Sequence, residues 1–135
     1  MKEIKLKNQL TEVESLHVFV DEVCKEAGMD DMVIDMINLA LEELVVNVIN
    51  YAWEPGEEAD FTVSSDINDG KIRFVITDGG KPFDPTAEVA EADTSLSAED
   101  RPIGGLGVYL AKNIMDKMEY KRENDKNILT VEKSI

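Results

Sequence analysis

One stretch of the sequence combines an acidic and an amide side chain with almost continuous apolar neighbours. Residues 39–53 read LALEELVVNVINYAW, with Glu43 and Asn47 four residues apart. A helix places both on one face, which Asn50 extends by about a turn. Because a helix that is apolar nearly all round is mostly buried, these polar groups need partners. They form either a hydrogen-bonded core pair or the wall of a pocket, where the Asn47 oxygen suits Mg²⁺ and Glu43 a general base.

A second candidate segment, residues 75–85, reads VITDGGKPFDP and follows a predicted strand. Asp78 stands at the end of that strand, where its carboxylate can accept a hydrogen bond from the exocyclic amine of a base. Gly79 and Gly80 allow a sharp turn and a close approach of the backbone to a ligand. The alternative interpretation is an ordinary glycine turn after a strand.

A third segment, residues 101–116, reads RPIGGLGVYLAKNIMD. Gly104, Gly105 and Gly107 lead into a predicted helix, and such glycines offer free backbone amides at the positive end of the helix dipole. That arrangement predicts an anion site, although the glycines could equally do no more than open the helix. The pattern is not a P-loop, and Leu110 stands where a dinucleotide fingerprint needs its third glycine.

Hydrophobic periodicity predicts the elements that must position these segments. In chain order they are a strand at 4–6, helices at about 11–27 and 30–52, strands at 61–67 and 72–77, a helix at 106–118, and strands at 120–122 and 128–131. Residues 68–70, Asn-Asp-Gly, predict a hairpin turn. Residues 79–103 lack periodicity and predict a long loop of the kind that often serves as a functional lid. This order predicts one α+β domain over residues 1–135, a two-layer sandwich with helices on one face of a mixed or antiparallel sheet.

Composition narrows the classes of partner. The chain has 135 residues and 29 Asp and Glu against 14 Lys and Arg, a net charge of −15. This charge argues against direct binding of nucleic acid or of an anionic membrane. An anionic ligand must therefore be held by backbone amides, a metal ion or one or two basic side chains.

The rare residue types and the N-terminus lead to further expectations. One cysteine, Cys24, and one histidine, His17, exclude an internal disulfide and a Cys/His metal cluster. Both are expected to be packing or surface residues. The N-terminus is not a signal peptide, and no apolar run approaches the ~18 residues of a spanning helix, so we expect a cytoplasmic protein.

Taken together, the order and spacing of the three segments resemble the ATP-binding fold shared by gyrase, heat-shock chaperones, histidine kinases and mismatch-repair ATPases, the histidine-kinase-like ATPase fold. Within that group, EELVVNVINYA, DGGKPFDP, IGGLGVYLAKNIMD and the tail YKRENDKNILTVEK are similar to the stand-alone anti-sigma-factor serine kinases of bacteria. The resemblance covers roughly residues 3–133.

The resemblance implies roles for residues at the phosphate end of a bound ATP. Asn47 would ligate Mg²⁺ and Glu43 would activate the serine hydroxyl of a protein substrate. Arg101 would contact the γ-phosphate. The residues that would wrap the phosphates through backbone amides are Gly104, Gly105, Leu106 and Gly107.

The resemblance also implies a binding site for the adenine base. Asp78 would bind the adenine amine, Gly80 would give the base room, and Thr130 would support the base from the last strand.

The implied function is an ATP- and Mg²⁺-dependent serine/threonine-protein kinase. It would hold a sigma factor inactive, phosphorylate an anti-anti-sigma protein on serine, and form a homodimer. A rival interpretation is a regulatory module of the same fold that binds ATP and gates a protein interaction without transferring phosphate. A third, the detached catalytic domain of a histidine kinase, lacks support from an acceptor helix.

Overall fold

A computed structural model describes residues 1–86 and 105–135. The strands are β1 (Lys2–Lys7), β2 (Asp60–Asn68), β3 (Lys71–Asp78), β4 (Lys117–Glu123) and β5 (Lys126–Ser134). The helices are α1 (Val13–Glu26), preceded by a 3-10 turn at Leu10–Glu12, α2 (Asp31–Tyr51) and α3 (Gly105–Ile114). The predicted order of these elements is confirmed. Most of the predicted loop at 79–103 lies outside the described residues.

The strands form one sheet in the order β1-β2-β3-β5-β4, and every neighbouring pair is antiparallel. The prediction of a mixed or antiparallel sheet thus resolves to antiparallel pairing in the described residues. Asp69 and Gly70, both at positive φ, form the predicted turn between β2 and β3. Asn124 and Asp125 also have positive φ and join β4 to β5, because Asn and Asp tolerate the left-handed region better than most residues.

The hydrophobic core lies between the sheet and the helices. In β3, Ile72, Phe74 and Ile76 alternate with more exposed residues and are almost completely buried. The next inward position is Asp78, which is only 5% exposed. In β5 the inward series Val131 and Leu129 likewise ends in a polar residue (Asn127), and Asp78 pairs directly with Asn127 across the sheet. Two polar side chains therefore interrupt the core at one edge.

Helix α3 is shorter than the periodicity predicts. It ends at Ile114, and Met118, predicted as helical, lies in β4 opposite Val131. Asp116 fixes this transition, because its N–H donates to the Glu132 carbonyl at 2.8 Å and its carboxylate accepts the Ser134 N–H at 2.7 Å. The backbone hydrogen bond from Ser134 holds the pKa of Asp116 below its usual value. An apolar stripe that continues from a helix into the following strand gives no signal of the change.

None of the helices within the described ranges combines the length and the apolar character that crossing a membrane requires.

Candidate functional site

Helix α2 carries the side-chain amide of Asn47, which is buried between the helix and the sheet. Asn47 is 8% exposed, and its side-chain Nδ2 has no hydrogen-bond partner among the described residues. A buried amide group without a partner costs roughly 1–3 kcal/mol, so a ligand that pairs with it recovers that free energy. Asn50, predicted to extend this face, is exposed to solvent.

Asn47 lines a cavity of about 30 Å³ between α2 and the sheet. Its other lining residues are Leu44, Val48, Ala52, Ile76, Asp78, Phe83, Pro85, Tyr120, Asn127 and Leu129. The walls are mainly apolar, and the polar groups converge from α2, β3 and β5. This is the composition of a small-molecule site, although such sites usually enclose about 300–1,000 Å³.

Asp78 is held by hydrogen bonds at one of its two oxygens. Oδ1 accepts the Gly80 N–H at 2.9 Å and the Asn127 Nδ2 at 3.0 Å. Among the described residues, no donor reaches Oδ2. The carboxylate is thus fixed in orientation and keeps one oxygen able to accept a hydrogen bond from a ligand amine.

Asn127 is the centre of this network, and sequence analysis assigned it no role. Its Nδ2 also donates to the Lys81 carbonyl at 2.9 Å. Its Oδ1 accepts the Tyr120 hydroxyl at 2.6 Å and the Phe83 N–H at 3.4 Å. The signal was available: in the tail motif, Asn127 shares the inward phase of Leu129, and so lies on the same face as Asp78.

Thr130 was predicted to support the base from this strand, but the structure places it on the face of the sheet away from the cavity. Successive residues of a strand point to opposite faces of the sheet. Since Leu129 faces the cavity, Thr130 faces the other way, where it lines an open groove with Arg73 and Glu119. Asn127 occupies the position that the prediction gave to Thr130.

The structure gives Gly80 a reason other than room for a base. A Cβ at Gly80 would lie 2.6 Å from the Ala52 Cβ and closer still to the Ala52 carbonyl oxygen. The Lys81 N–H donates to that carbonyl at 2.9 Å, and Arg122 Nη1 donates to the Gly80 carbonyl at 2.8 Å. The turn after β3 therefore packs directly against the end of α2, and only glycine leaves space for this contact.

Glu43 lies one turn before Asn47 and contacts α3. A Cβ at Gly107 would lie 3.2 Å from the Glu43 Cδ and overlap its Oε2. The neighbouring acid, Glu42, points elsewhere, because its Oε1 lies 3.7 Å from the His17 Nε2 of α1. Of the two adjacent carboxylates, Glu43 is the one on the α3 side, and it does not line the cavity that Asn47 lines.

The described part of the predicted phosphate segment opens α3. The helix begins at Gly105, so the first amides of α3 have no partner within the helix and can bind an anion. Leu106 is 59% exposed. Gly104 and Arg101 lie outside the described residues, so their predicted contacts stay predictions.

The residues present fit a magnesium ion held mainly by its substrate. Within residues 1–86 and 105–135, no cluster of three or more His, Cys, Asp or Glu can hold a metal. Mg²⁺ characteristically takes one or two protein oxygens and completes its shell with phosphate oxygens and water. Asn47 lines the cavity, so its side-chain oxygen would be the one protein ligand of this kind. Its Nδ2, which has no partner within the described residues, is a donor that cannot ligate a cation and could pair with a phosphate oxygen instead.

Cys24 takes no part in this site. It is completely buried on α1, and burial, with a smaller effect of Asp21, raises the pKa of its thiol to about 11. A thiol of that kind is unreactive, in agreement with its predicted packing role.

Comparisons with known proteins identify the fold and the family. The family model described as "Histidine kinase-like ATPase domain" matches residues 6–133. The RsbU and RsbW domains of a Mycobacterium tuberculosis protein superpose with a TM-score of 0.68 at 14% identity, covering 99% of this chain and 32% of that one.

Curated relatives are named as serine-protein kinases. The chain is 28% identical to the serine-protein kinase RsbW of Listeria monocytogenes over 72% of its own length and 64% of the relative's. It is 30% identical to RsbW of Halalkalibacterium halodurans over 67% of its length and 57% of the relative's. The chain thus spans less than two thirds of these relatives. With its antiparallel sheet, its helical layer and a family match over nearly all of its length, the chain belongs to the histidine kinase-like ATPase domain family.

Proposed function

We propose that this chain is an ATP- and Mg²⁺-dependent protein serine/threonine kinase of the anti-sigma-factor type. The observation that carries the proposal is the pair on α2. Asn47 is buried with no partner for its Nδ2 in the part of the chain that the structure describes, and one turn earlier the Glu43 carboxylate lies on the α3 side. The names of the curated relatives support the kinase assignment.

In this proposal the base of ATP binds in the cavity beside Asp78. Oδ2 of Asp78 accepts a hydrogen bond from the adenine amine, while Gly80 and Asn127 hold Oδ1. Phe83 and Pro85 cover the base from the outer wall of the cavity. The phosphates extend along α2 towards the first turn of α3.

Asn47 and α3 hold the phosphate end. Bound Mg²⁺ would neutralise phosphate charge in the transition state, and the Asn47 oxygen is its protein ligand. The free amides that open α3, and in our proposal Gly104 and Arg101, bind the phosphate oxygens. Because the chain has a net charge of −15, the phosphates are bound by these few local donors and not by a basic surface.

Glu43 acts as the general base. Its carboxylate accepts the proton of the serine hydroxyl as the serine oxygen attacks the γ-phosphorus. The bond from that phosphorus to the β,γ-bridging oxygen breaks, and ADP leaves. Phosphoryl transfer needs mainly positioning and charge neutralisation, so these few groups suffice.

The proposed partners follow from the same relatives. We propose that the chain binds a sigma factor and phosphorylates a small anti-anti-sigma protein on serine, and that it acts as a homodimer. The acidic surface suits a basic partner such as a sigma factor.

The test is incubation of the purified chain with Mg-ATP and a candidate anti-anti-sigma domain, read by intact mass. Transfer of one phosphoryl group to the domain supports the kinase. A complex that forms only with ATP and carries no phosphate would replace it with the gating module, and an absence of ATP binding would refute both.

A further inference from the structure

The side-chain amide of Asn127 is fully engaged in hydrogen bonds within the chain. Its Nδ2 donates to Asp78 Oδ1 and to the Lys81 carbonyl, and its Oδ1 accepts the Tyr120 hydroxyl and the Phe83 N–H. An asparagine amide can donate two hydrogen bonds and accept two, so none is left for a ligand. Asn127 therefore acts on a molecule in the cavity only through its partners, of which Asp78 carries the free acceptor.

These partners also fix which way the amide faces. The Asp78 oxygen and the Lys81 carbonyl are acceptors only, and the Phe83 N–H is a donor only, so a reversed amide would oppose like groups. The Tyr120 hydroxyl supplies the short bond to Oδ1, at 2.6 Å, whereas the Phe83 N–H lies 3.4 Å away. Tyr120 is thus the main support of the Asn127 oxygen, and it comes from the neighbouring strand β4.

The consequence for Asp78 is that its two oxygens are unequal. Oδ1 accepts the Gly80 N–H and the Asn127 Nδ2, and it receives no third donor from the described residues. Each carboxylate oxygen has about two lone-pair sites, so the chain itself fills Oδ1. Asp78 therefore offers a ligand one free oxygen, Oδ2, and not the pair of oxygens that an unbonded carboxylate presents.

A single acceptor oxygen distinguishes the two purine bases. Adenine carries one exocyclic amine, which needs only one acceptor, and guanine has the acceptor O6 at the same ring position. The donors of guanine are its N1–H and its 2-amino group, which lie side by side and suit both oxygens of a carboxylate. With Oδ1 of Asp78 filled, one of these two donors would be buried unpaired, and an unpaired buried polar group is a strong basis for rejection.

From this arrangement we propose that Tyr120 and Asn127 are positioning residues that make the site selective for adenine over guanine nucleotides. Tyr120 holds the amide of Asn127, and Asn127 keeps Oδ1 of Asp78 occupied. The inference rests on the proposed binding of ATP in this cavity. It adds to that proposal two residues on β4 and β5 that set the base specificity.

The test measures Kd values of the full chain for the magnesium complexes of ATP, GTP and purine riboside 5′-triphosphate, which lacks the exocyclic amine. Tyr120→Phe removes only the hydroxyl. Tyr109→Phe is the matched control, because Tyr109 is 42% exposed on α3 and does not line the cavity. Asn127→Ala is the second variant, and thermal unfolding shows whether each variant is folded.

Tyr120→Phe should lower two ratios, Kd(GTP)/Kd(ATP) and Kd(purine analogue)/Kd(ATP), by at least about threefold each, the loss expected for one hydrogen bond. Asn127→Ala should lower them further, because it frees a lone pair of Asp78 Oδ1. Tyr109→Phe should leave both ratios at the wild-type value. A purely structural role of Tyr120 would weaken the binding of all three nucleotides alike.

Unchanged ratios in Tyr120→Phe would overturn the proposal, whatever happens to the absolute affinities or the melting temperature. Equal affinity of the wild-type chain for ATP and GTP would overturn it as well. If Asn127→Ala does not fold, Tyr120→Phe decides alone.

Phosphoryl transfer is measured separately, by intact mass, so the two proposals fail in different ways. A wild-type chain that binds ATP but transfers no phosphate refutes the kinase, while the Kd ratios still decide the role of Tyr120. A chain that transfers phosphate but keeps its ratios in Tyr120→Phe refutes the positioning role alone. A wild-type chain that binds no nucleotide refutes both.

Discussion

The candidate site has two ends, one proposed to bind the base of ATP and the other its phosphates. They differ in whether their buried polar groups find hydrogen-bond partners within the chain. At the base end, Asp78, Asn127 and Tyr120 are linked by hydrogen bonds of 2.6 and 3.0 Å, and Arg122 donates to the Gly80 carbonyl at 2.8 Å. At the proposed phosphate end, Asn47 Nδ2 has no hydrogen-bond partner within residues 1–86 and 105–135. Satisfied networks add to stability, and unsatisfied buried groups subtract from it. The proposed base end is therefore already paired in the folded chain, whereas the proposed phosphate end would be completed only by a ligand.

The largest expected effect comes from the phosphate end and concerns the reaction alone. Glu43→Gln should lower phosphoryl transfer by about 10²–10⁴-fold, the usual contribution of a general base, because the amide cannot take the proton. ATP affinity and the melting temperature should stay near wild type. Single-turnover transfer, isothermal titration with ATP and thermal unfolding measure the three quantities. Transfer at the wild-type rate would sink the assignment of Glu43 as the base.

Asn47→Ala should remove the protein ligand of the metal and weaken Mg-ATP binding by at least about 100-fold, or ~2.7 kcal/mol. The free energy of unfolding should change little, since the substitution also removes an amide with an unsatisfied donor. Titration calorimetry with Mg-ATP and urea unfolding test both parts. Asn50→Ala, at an exposed position on the same helix, is the control. Unchanged nucleotide affinity in Asn47→Ala would refute its ligand role.

At the base end we expect the larger effect on the stability of the fold. Asn127→Ala should destabilise the fold by about 2–3 kcal/mol, because it leaves buried partners such as Asp78 Oδ1 and the Lys81 carbonyl short of a donor. Urea unfolding of the nucleotide-free chain measures this loss. Thr130→Ala, at an outward position on the same strand, should cost less than about 1 kcal/mol. Equal losses for the two variants would contradict the inward role of Asn127.

Gly80→Ala should have the smallest effect of the four variants. Its free energy of unfolding should fall by about 1–3 kcal/mol, a loss typical of overpacking. The added methyl overlaps Ala52, so the turn after β3 must shift away from α2. Thermal unfolding with and without ATP distinguishes packing from ligand contact. Gly79→Ala is the matched control, because a Cβ there meets no atom within 4 Å. If Gly80→Ala weakens ATP binding without any loss of stability, the glycine serves the ligand instead of the fold.

Periodicity and motif order predicted the fold well because the chain carries strong local signals. The alternation in β3 and the Asp69-Gly70 turn both fix local geometry without help from distant residues. The end of α3 was missed, because Met118 continues an apolar stripe and becomes a strand residue only through pairing with Val131. That pairing is a tertiary contact, which a local pattern does not contain.

The site was harder to predict than the fold. The structure places Glu43 on the α3 side and Glu42 beside His17, but only Asn47 of the predicted pair lines the cavity. Sequence analysis named Thr130 and gave Asn127 no role, because it followed a motif instead of the phase of the strand. The inward phase of the strand could be read from Leu129 and Val131. The reason for a glycine at position 80 could not be read from the sequence, because it depends on where the end of α2 lies in the fold.

The small volume of the cavity has a consequence for affinity. At about 30 Å³, with Phe83 and Pro85 in its wall, it is far smaller than an adenine base requires. A bound base would therefore require this wall to lie further out. If such an open form is a minor fraction of the molecules, the apparent dissociation constant for ATP would be the intrinsic one divided by that fraction. A protein that bound nearby and raised this fraction would tighten nucleotide binding without touching the nucleotide.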